Sequence, residues 1–155
     1  MALAELLAAD RIVFLVDPGD RNAVLDAAAR LLADASPAHT AEIGASLRAR
    51  EKLGSTAIGH GIAIPHGRTE AFDEARGAFL RLREPVDFGA SDGQPVDLVF
   101  AMAVPRHFTQ QHLQLLSELA QRFADPAFRQ ALRGARSVDA LRRELLGAHA
   151  GDDAA

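Results

Sequence analysis

The sequence predicts an α/β fold, a single domain in which a mixed β-sheet is flanked by α-helices. Three observations carry that prediction. Along the 155 residues, segments with helical apolar spacing alternate with short apolar runs of strand length. The run Val96 to Val104 is apolar nearly throughout, as expected of a strand buried on both faces. Several connections are hairpin-sized, which argues against an all-parallel sheet.

Taken in order, Leu3 to Ala9 is a short helix candidate and Ile12-Val-Phe-Leu-Val16 is the first strand. Asp20 is placed to cap a helix in which Val24, Ala28 and Leu31 share a face. A second helix runs from about Thr40 to Lys52. Gly54 to Gly67 is punctuated by glycine and holds one short apolar run, Ile62-Ala-Ile64, ending at Pro65. Gly77 to Arg83 alternates, with Ala78, Leu80 and Leu82 set against Phe79 and Arg81, which suits a strand. After Val96 to Val104, helices follow at about Thr109 to Ala124, Pro126 to Arg133 and Val138 to Leu146. The domain is expected over residues 3–147, with a small, acidic, frayed tail over 148–155.

Composition narrows the function. The absence of cysteine removes disulfide scaffolds, thiol catalysis and Cys-type zinc sites. A net charge of −4, no dominant basic cluster, and eight Phe with neither Tyr nor Trp argue against nucleic-acid binding. No stretch is long and apolar enough to insert into a membrane, and the N-terminus has no signal-peptide character. A cytoplasmic protein is expected.

The informative stretch is Leu53-Gly-Ser-Thr-Ala-Ile-Gly-His-Gly-Ile-Ala-Ile-Pro-His-Gly-Arg68. Its glycine spacing fits neither a Walker loop nor a Rossmann fingerprint. Such a loop can aim backbone N–H groups at an anion. Pro65 stiffens the chain before His66, and Gly67 follows it, so the imidazole is presented at a fixed angle. Glycine content alone leaves a plain turn with a surface histidine equally open.

Two further residues bear on that choice. On the helix from Thr40, Arg50 shares the apolar face of Ile43 and Leu47, whereas Arg48 and Lys52 point away from it. On the helix from Thr109, His112 lies in one seam with Leu116, Leu119 and Phe123, in the first turn behind the candidate N-cap Thr109. The positive end of the helix disfavours imidazolium there and favours a nearby anion. Taken singly, a snorkelling Arg and a core His account for these two. Together with His66 they form the set that phosphoryl transfer needs: a neutral imidazole nucleophile, a forked permanent cation and a second ring nitrogen. Amides of the glycine loop would supply the remaining donors.

Gly-Ser-Thr-Ala-Ile-Gly-His-Gly-Ile-Ala-Ile-Pro-His-Gly closely resembles the active-site signature of the mannitol/fructose-type IIA domains of the bacterial phosphotransferase system. Arg50-Glu-Lys-Leu-Gly-Ser-Thr and His112-Leu-Gln-Leu-Leu-Ser-Glu-Leu-Ala fit the same family, and the likeness runs from about Leu3 to Leu146. Within it, Phe88-Gly-Ala-Ser-Asp-Gly-Gln-Pro-Val-Asp-Leu-Val-Phe-Ala looks like the nitrogen-regulatory branch, and a single domain without an attached permease or IIB segment suits that branch.

The resemblance implies phosphorylation of His66 on Nε2, with Arg50 and His112 in support. It implies a histidine phosphocarrier of the HPr/NPr type as donor, and transporters, sensor kinases or metabolic enzymes as regulated partners. No cofactor and no metal are expected. The alternative within the family is a sugar-uptake component that passes phosphate to a fructose- or mannitol-type IIB. A metal site built from His60, His66, His107 and His112 is the remote alternative, without Cys or carboxylate ligands to accompany it. His60 stands where the family more usually has Gly or Asn, and His107 has no family counterpart; both read as solvated loop residues.

Overall fold

The computed structural model describes residues 3–15, 17–108 and 110–147. Val16, the candidate cap Thr109 and the expected tail over 148–155 lie outside the described residues. The predicted helix at the N-terminus is instead two 3-10 turns, Leu3–Leu6 and Ala9–Arg11. A segment this short gains too few α-helical bonds to repay nucleation.

Six strands form one mixed sheet: β1 Ile12–Leu15, β2 Ala57–Gly59, β3 Ile62–Ala63, β4 His66–Thr69, β5 Arg76–Val86 and β6 Val96–Pro105. Their order is β1-β5-β6-β3-β2, and β4 pairs with β6 further along. β5 and β6 are antiparallel, while β1 runs parallel to β5 and β3 and β4 run parallel to β6. β3 and β4 are thus one line of chain along β6, interrupted at Ile64-Pro65, and the Met102 N–H donates to the Pro65 carbonyl across the break.

Five helices cover the sheet: α1 Arg21–Leu32, α2 Pro37–Leu53, α3 Gln110–Phe123, α4 Pro126–Gly134 and α5 Val138–Leu146. Asp20 caps α1 as expected, accepting from the Ala23 N–H at 2.8 Å. α2 begins at Pro37, earlier than the predicted Thr40, because proline suits a first helical turn whose N–H groups have no helical acceptor. Arg48 is not simply turned to solvent. It pairs with Asp26 and joins α2 to α1.

Two apolar clusters fill the two faces. Val24, Leu25, Ile43 and Leu47 of α1 and α2 pack on Ala78, Leu80, Val99 and Ala101. Leu115, Leu119, Phe123 and Leu141 of α3 and α5 pack on Phe79, Leu98, Phe100 and Met102. Strand β6 is therefore buried on both faces, as its composition predicts. The same holds for most of β5, where Phe79 is fully buried rather than set on a polar side. On that face Arg81 is half-buried, and its charge rests over the Phe14 ring.

Candidate active site

The two faces of the sheet meet different helices at β4, and that sets the direction of His66. Period-two alternation turns Gly67 and Thr69 toward α2, where Ser46 Oγ donates to the Arg68 carbonyl at 3.0 Å and Thr69 Oγ1 donates to Glu42 at 2.6 Å. His66 faces the other way, toward α3. Its Nδ1 lies 2.7 Å from the Ile64 carbonyl oxygen. A carbonyl only accepts, so Nδ1 carries the proton and Nε2 keeps its lone pair. The stiffened Ile64-Pro65 link thus holds the ring that follows it by a two-residue return bond.

His66 and Arg50 line one cleft of about 300 Å³ with Ser55, Thr56, Ile58 and Leu116. Arg50 is half-buried at the end of α2, and its Nη1 donates to the Gly54 carbonyl at 2.8 Å. His112 meets the His66 ring with centroids 5.1 Å apart and planes tilted by 57°. It is 8% exposed, at the start of α3, and its Nδ1 is buried without a hydrogen-bond partner among the described residues. An unpaired lone pair there is less costly than an unpaired N–H, so Nδ1 is the unprotonated nitrogen and Nε2 the donor.

Both rings are held neutral. Burial pushes the His66 pKa down, and Arg50 and Arg68 add to this, while the Ile64 carbonyl and Glu51 oppose it. Burial pushes His112 down to about 4, helped by His66, Arg68 and Arg50. A neutral imidazole is the nucleophilic form.

Sequence reasoning missed Glu51. It is 4% exposed, and its carboxylate accepts the Thr56 N–H at 2.9 Å and the Thr56 hydroxyl at 2.7 Å. The Thr56 carbonyl in turn accepts the Ile64 N–H at 3.0 Å. This chain of bonds fixes the loop against the strand that presents His66. It also takes up some of the amides of the glycine loop. The N–H groups of Thr56, Ala57, His60 and Ile64 already serve Glu51, Ser55, Asp92 and Thr56.

The four histidines of the metal reading do not converge. His60 sits on the β2–β3 turn, where its N–H donates to Asp92, and the His107 ring packs edge-on against Phe108. Among the described residues no group of three or more His, Cys, Asp or Glu side chains is placed to hold a metal ion. No helix among them is long and apolar enough to cross a membrane.

A site that keeps a nucleophilic nitrogen neutral beside a fixed cation is suited to moving phosphoryl groups, and the comparisons point the same way. Residues 5–147 match the family described as phosphoenolpyruvate-dependent sugar phosphotransferase system, EIIA 2, and the chain belongs to that family of phosphotransfer proteins. Within it the likeness is strong to the nitrogen-regulatory members. The nitrogen regulatory protein of Pseudomonas aeruginosa is 42% identical over 140 residues, spanning 90% of this chain and 91% of that protein. Nitrogen regulatory protein IIA-Ntr from Neisseria meningitidis has a TM-score of 0.82 at 41% identity, over 92% of this chain and 98% of its own. IIA mannitol from Escherichia coli gives 0.71 at 27% identity, over 89% and 97%. The mixed sheet with flanking helices is the fold of these proteins.

Proposed function

We propose that this chain is a cytoplasmic phosphocarrier of the nitrogen-related phosphotransferase system, which takes a phosphoryl group on His66 Nε2 from an HPr/NPr-type carrier. The observation that carries the reading is the bond from His66 Nδ1 to the Ile64 carbonyl, which leaves the Nε2 lone pair available as the nucleophile. The Nε2 lone pair attacks phosphorus in line; the bond from phosphorus to the donor nitrogen breaks, and its electron pair returns to the donor imidazole. As the His66 ring gains positive character, the Ile64 carbonyl faces its Nδ1–H. Arg50 meets the charge spreading over the phosphoryl oxygens, and His112 donates from Nε2.

Phosphorylation adds about −1.5 to −2 charges to this face. Leu53, Ile58 and Leu113, the exposed large apolar residues among those described, stand near the ends and edges of α2, β2 and α3 that frame the site. A dianion there changes the face that regulated partners meet, and these are transporters, sensor kinases or metabolic enzymes in this reading.

The test is incubation with a phosphorylated HPr/NPr-type carrier. Wild type takes up phosphate and His66→Ala takes up none; equal incorporation into both would sink the assignment. The likeness to a mannitol IIA protein keeps sugar uptake as a second reading. Phosphate passed on to a IIB cysteine, followed by sugar phosphorylation, would favour it.

A further inference from the structure

On β4 the residue two after His66 is Arg68, so both side chains leave the same face of the strand, toward the start of α3. The Arg68 side chain does not extend into solvent. Its Nη1 donates to the Arg106 carbonyl at 3.1 Å and also to the Phe108 carbonyl. These carbonyls belong to the turn between β6 and α3. The Arg106 N–H returns to the Thr69 carbonyl at 3.2 Å, and the Phe108 N–H closes onto the Pro105 carbonyl at 3.0 Å. α3 opens at Gln110, and His112 lies in its first turn. Beside the Arg106–Thr69 backbone bond, the strand bearing His66 and the turn launching His112 are therefore joined by a guanidinium, on the side of β4 where the two imidazoles meet.

We propose that Arg68 is a positioning residue: by holding the 105–108 turn to β4 it sets α3, and with it His112, against His66. The role rests on the phosphocarrier reading for its purpose, but not for its geometry. A helix start has no ladder of its own to locate it, since its first N–H groups lack helical acceptors. Donors from a neighbouring strand to the preceding carbonyls supply that location. Both bonds leave the same nitrogen, so a lysine ammonium that reaches the turn can reproduce them, whereas a thioether cannot.

The charge gives a second, separate signature. Around His66 it acts with Arg50 and against Glu51; around His112 it acts with Arg50 and with the His66 ring. Removing it raises the titration of both rings.

The experiment compares wild type, Arg68→Met and Arg68→Lys by NMR on the whole unphosphorylated chain. In Arg68→Met the ring-to-ring cross-peak between His66 and His112 should weaken severalfold. The amides of Gln114 to Leu116, which make the first bonds of α3, should exchange about tenfold faster. The His112 titration should move up, while amides of β5 keep their protection and report an intact fold. Arg68→Lys should restore the cross-peak and the titration. An Arg68→Met protein with protected β5 amides and an unchanged cross-peak and α3 exchange overturns the proposal. If Arg68→Met does not fold, Arg68→Gln is read by the same criteria. Phosphate uptake by wild type is measured alongside. Its absence would refute the phosphocarrier reading and leave the tether standing, because every readout of the tether is taken without phosphate.

Discussion

The imidazoles of His66 and His112 face each other with ring centres 5.1 Å apart, and the His66 ring, with burial, makes protonation of His112 less favourable. Neither ring has a carboxylate hydrogen-bonded to it among the described residues, so the site holds two neutral rings flanked by Arg50 and Arg68. That arrangement keeps Nε2 of His66 nucleophilic, and it places a cost on acid conditions.

That cost is measurable as stability. The unfolded chain protonates His112 near the ordinary 6.5, whereas the folded chain does so only near about 4. Between these values the unfolded state binds more protons, so stability present above 6.5 is lost as pH falls toward 4. The expected loss is on the order of 3 kcal/mol, and the downward shift of His66 adds in the same direction. Urea unfolding of wild type and His112→Leu at pH 7 and at about pH 4.5 should show a shallower pH dependence in the variant. Parallel curves would show that His112 titrates normally in the folded protein.

Arg50 should matter more to rate than to folding. Its half-buried guanidinium spends one bond on the Gly54 carbonyl, and the residue lines the cleft of His66. Arg50→Lys keeps a charge but loses the forked donors, so phosphate uptake should slow by about 10- to 100-fold, with about 1 kcal/mol or less of stability lost. A rate within about twofold of wild type would remove Arg50 from phosphoryl binding.

How far the site was legible depended on periodicity. Helical spacing puts Arg50 and His112 on apolar faces, which singles them out beside His66, and the structure brings both near it. Glu51 was missed because a carboxylate in the last turn of a helix opposes the helix dipole and reads as a solvent residue. Its partner Thr56 lies in a loop, where no period links them. Arg68 escaped for a different reason. His66–Thr69 is a four-residue strand containing glycine, too short for alternation to mark it in the sequence, so the i, i+2 relation of His66 and Arg68 carries no weight there. The sheet itself was well signalled, because β5 and β6 are long and apolar. Of the short strands beside them, β3 and β4 are held by register with β6 and β2 by pairing with β3, rather than by their own composition.

The Glu51–Thr56 pair predicts a fold-level cost near the site. Thr56→Val removes one of the two donors of a buried carboxylate while keeping the shape of the side chain. The expected destabilisation is about 1–3 kcal/mol, read from the urea midpoint. No change would mean that water replaces the hydroxyl, and that Glu51 does not fasten the loop.

Gly67 marks a close approach of β4 to α2. A Cβ there would stand 3.0 Å from the Ser46 Cβ and 3.1 Å from its carbonyl carbon, besides striking Ser46 Oγ. Gly67→Ala should cost about 1–3 kcal/mol, because helix backbone cannot yield as a side-chain tip can. Adding Ser46→Ala should not restore stability, since Cβ and backbone remain in place. Full rescue by the double substitution, in thermal or urea unfolding, would show that the hydroxyl alone was in the way.

His60 gives the last prediction. Its φ is +58°, between Gly59 at +96° and Gly61 at +77°, so three consecutive residues of the β2–β3 turn are left-handed. For a residue with Cβ that conformation costs about 1–2 kcal/mol. The turn is held from outside: Asp92 accepts the His60 N–H at 3.0 Å, and Arg133, paired with Asp97, donates to the His60 carbonyl. Both bonds use the backbone of residue 60 and survive substitution by Gly or Val. His60→Gly relieves the strain but loosens the unfolded chain, for a net gain of up to about 1 kcal/mol. His60→Val, branched at Cβ, should be less stable than wild type. The expected order of urea midpoints is therefore Gly above His above Val. A valine variant as stable as the glycine variant would mean that the turn relaxes out of the left-handed region, and that the bonds from Asp92 and Arg133 do not hold it there.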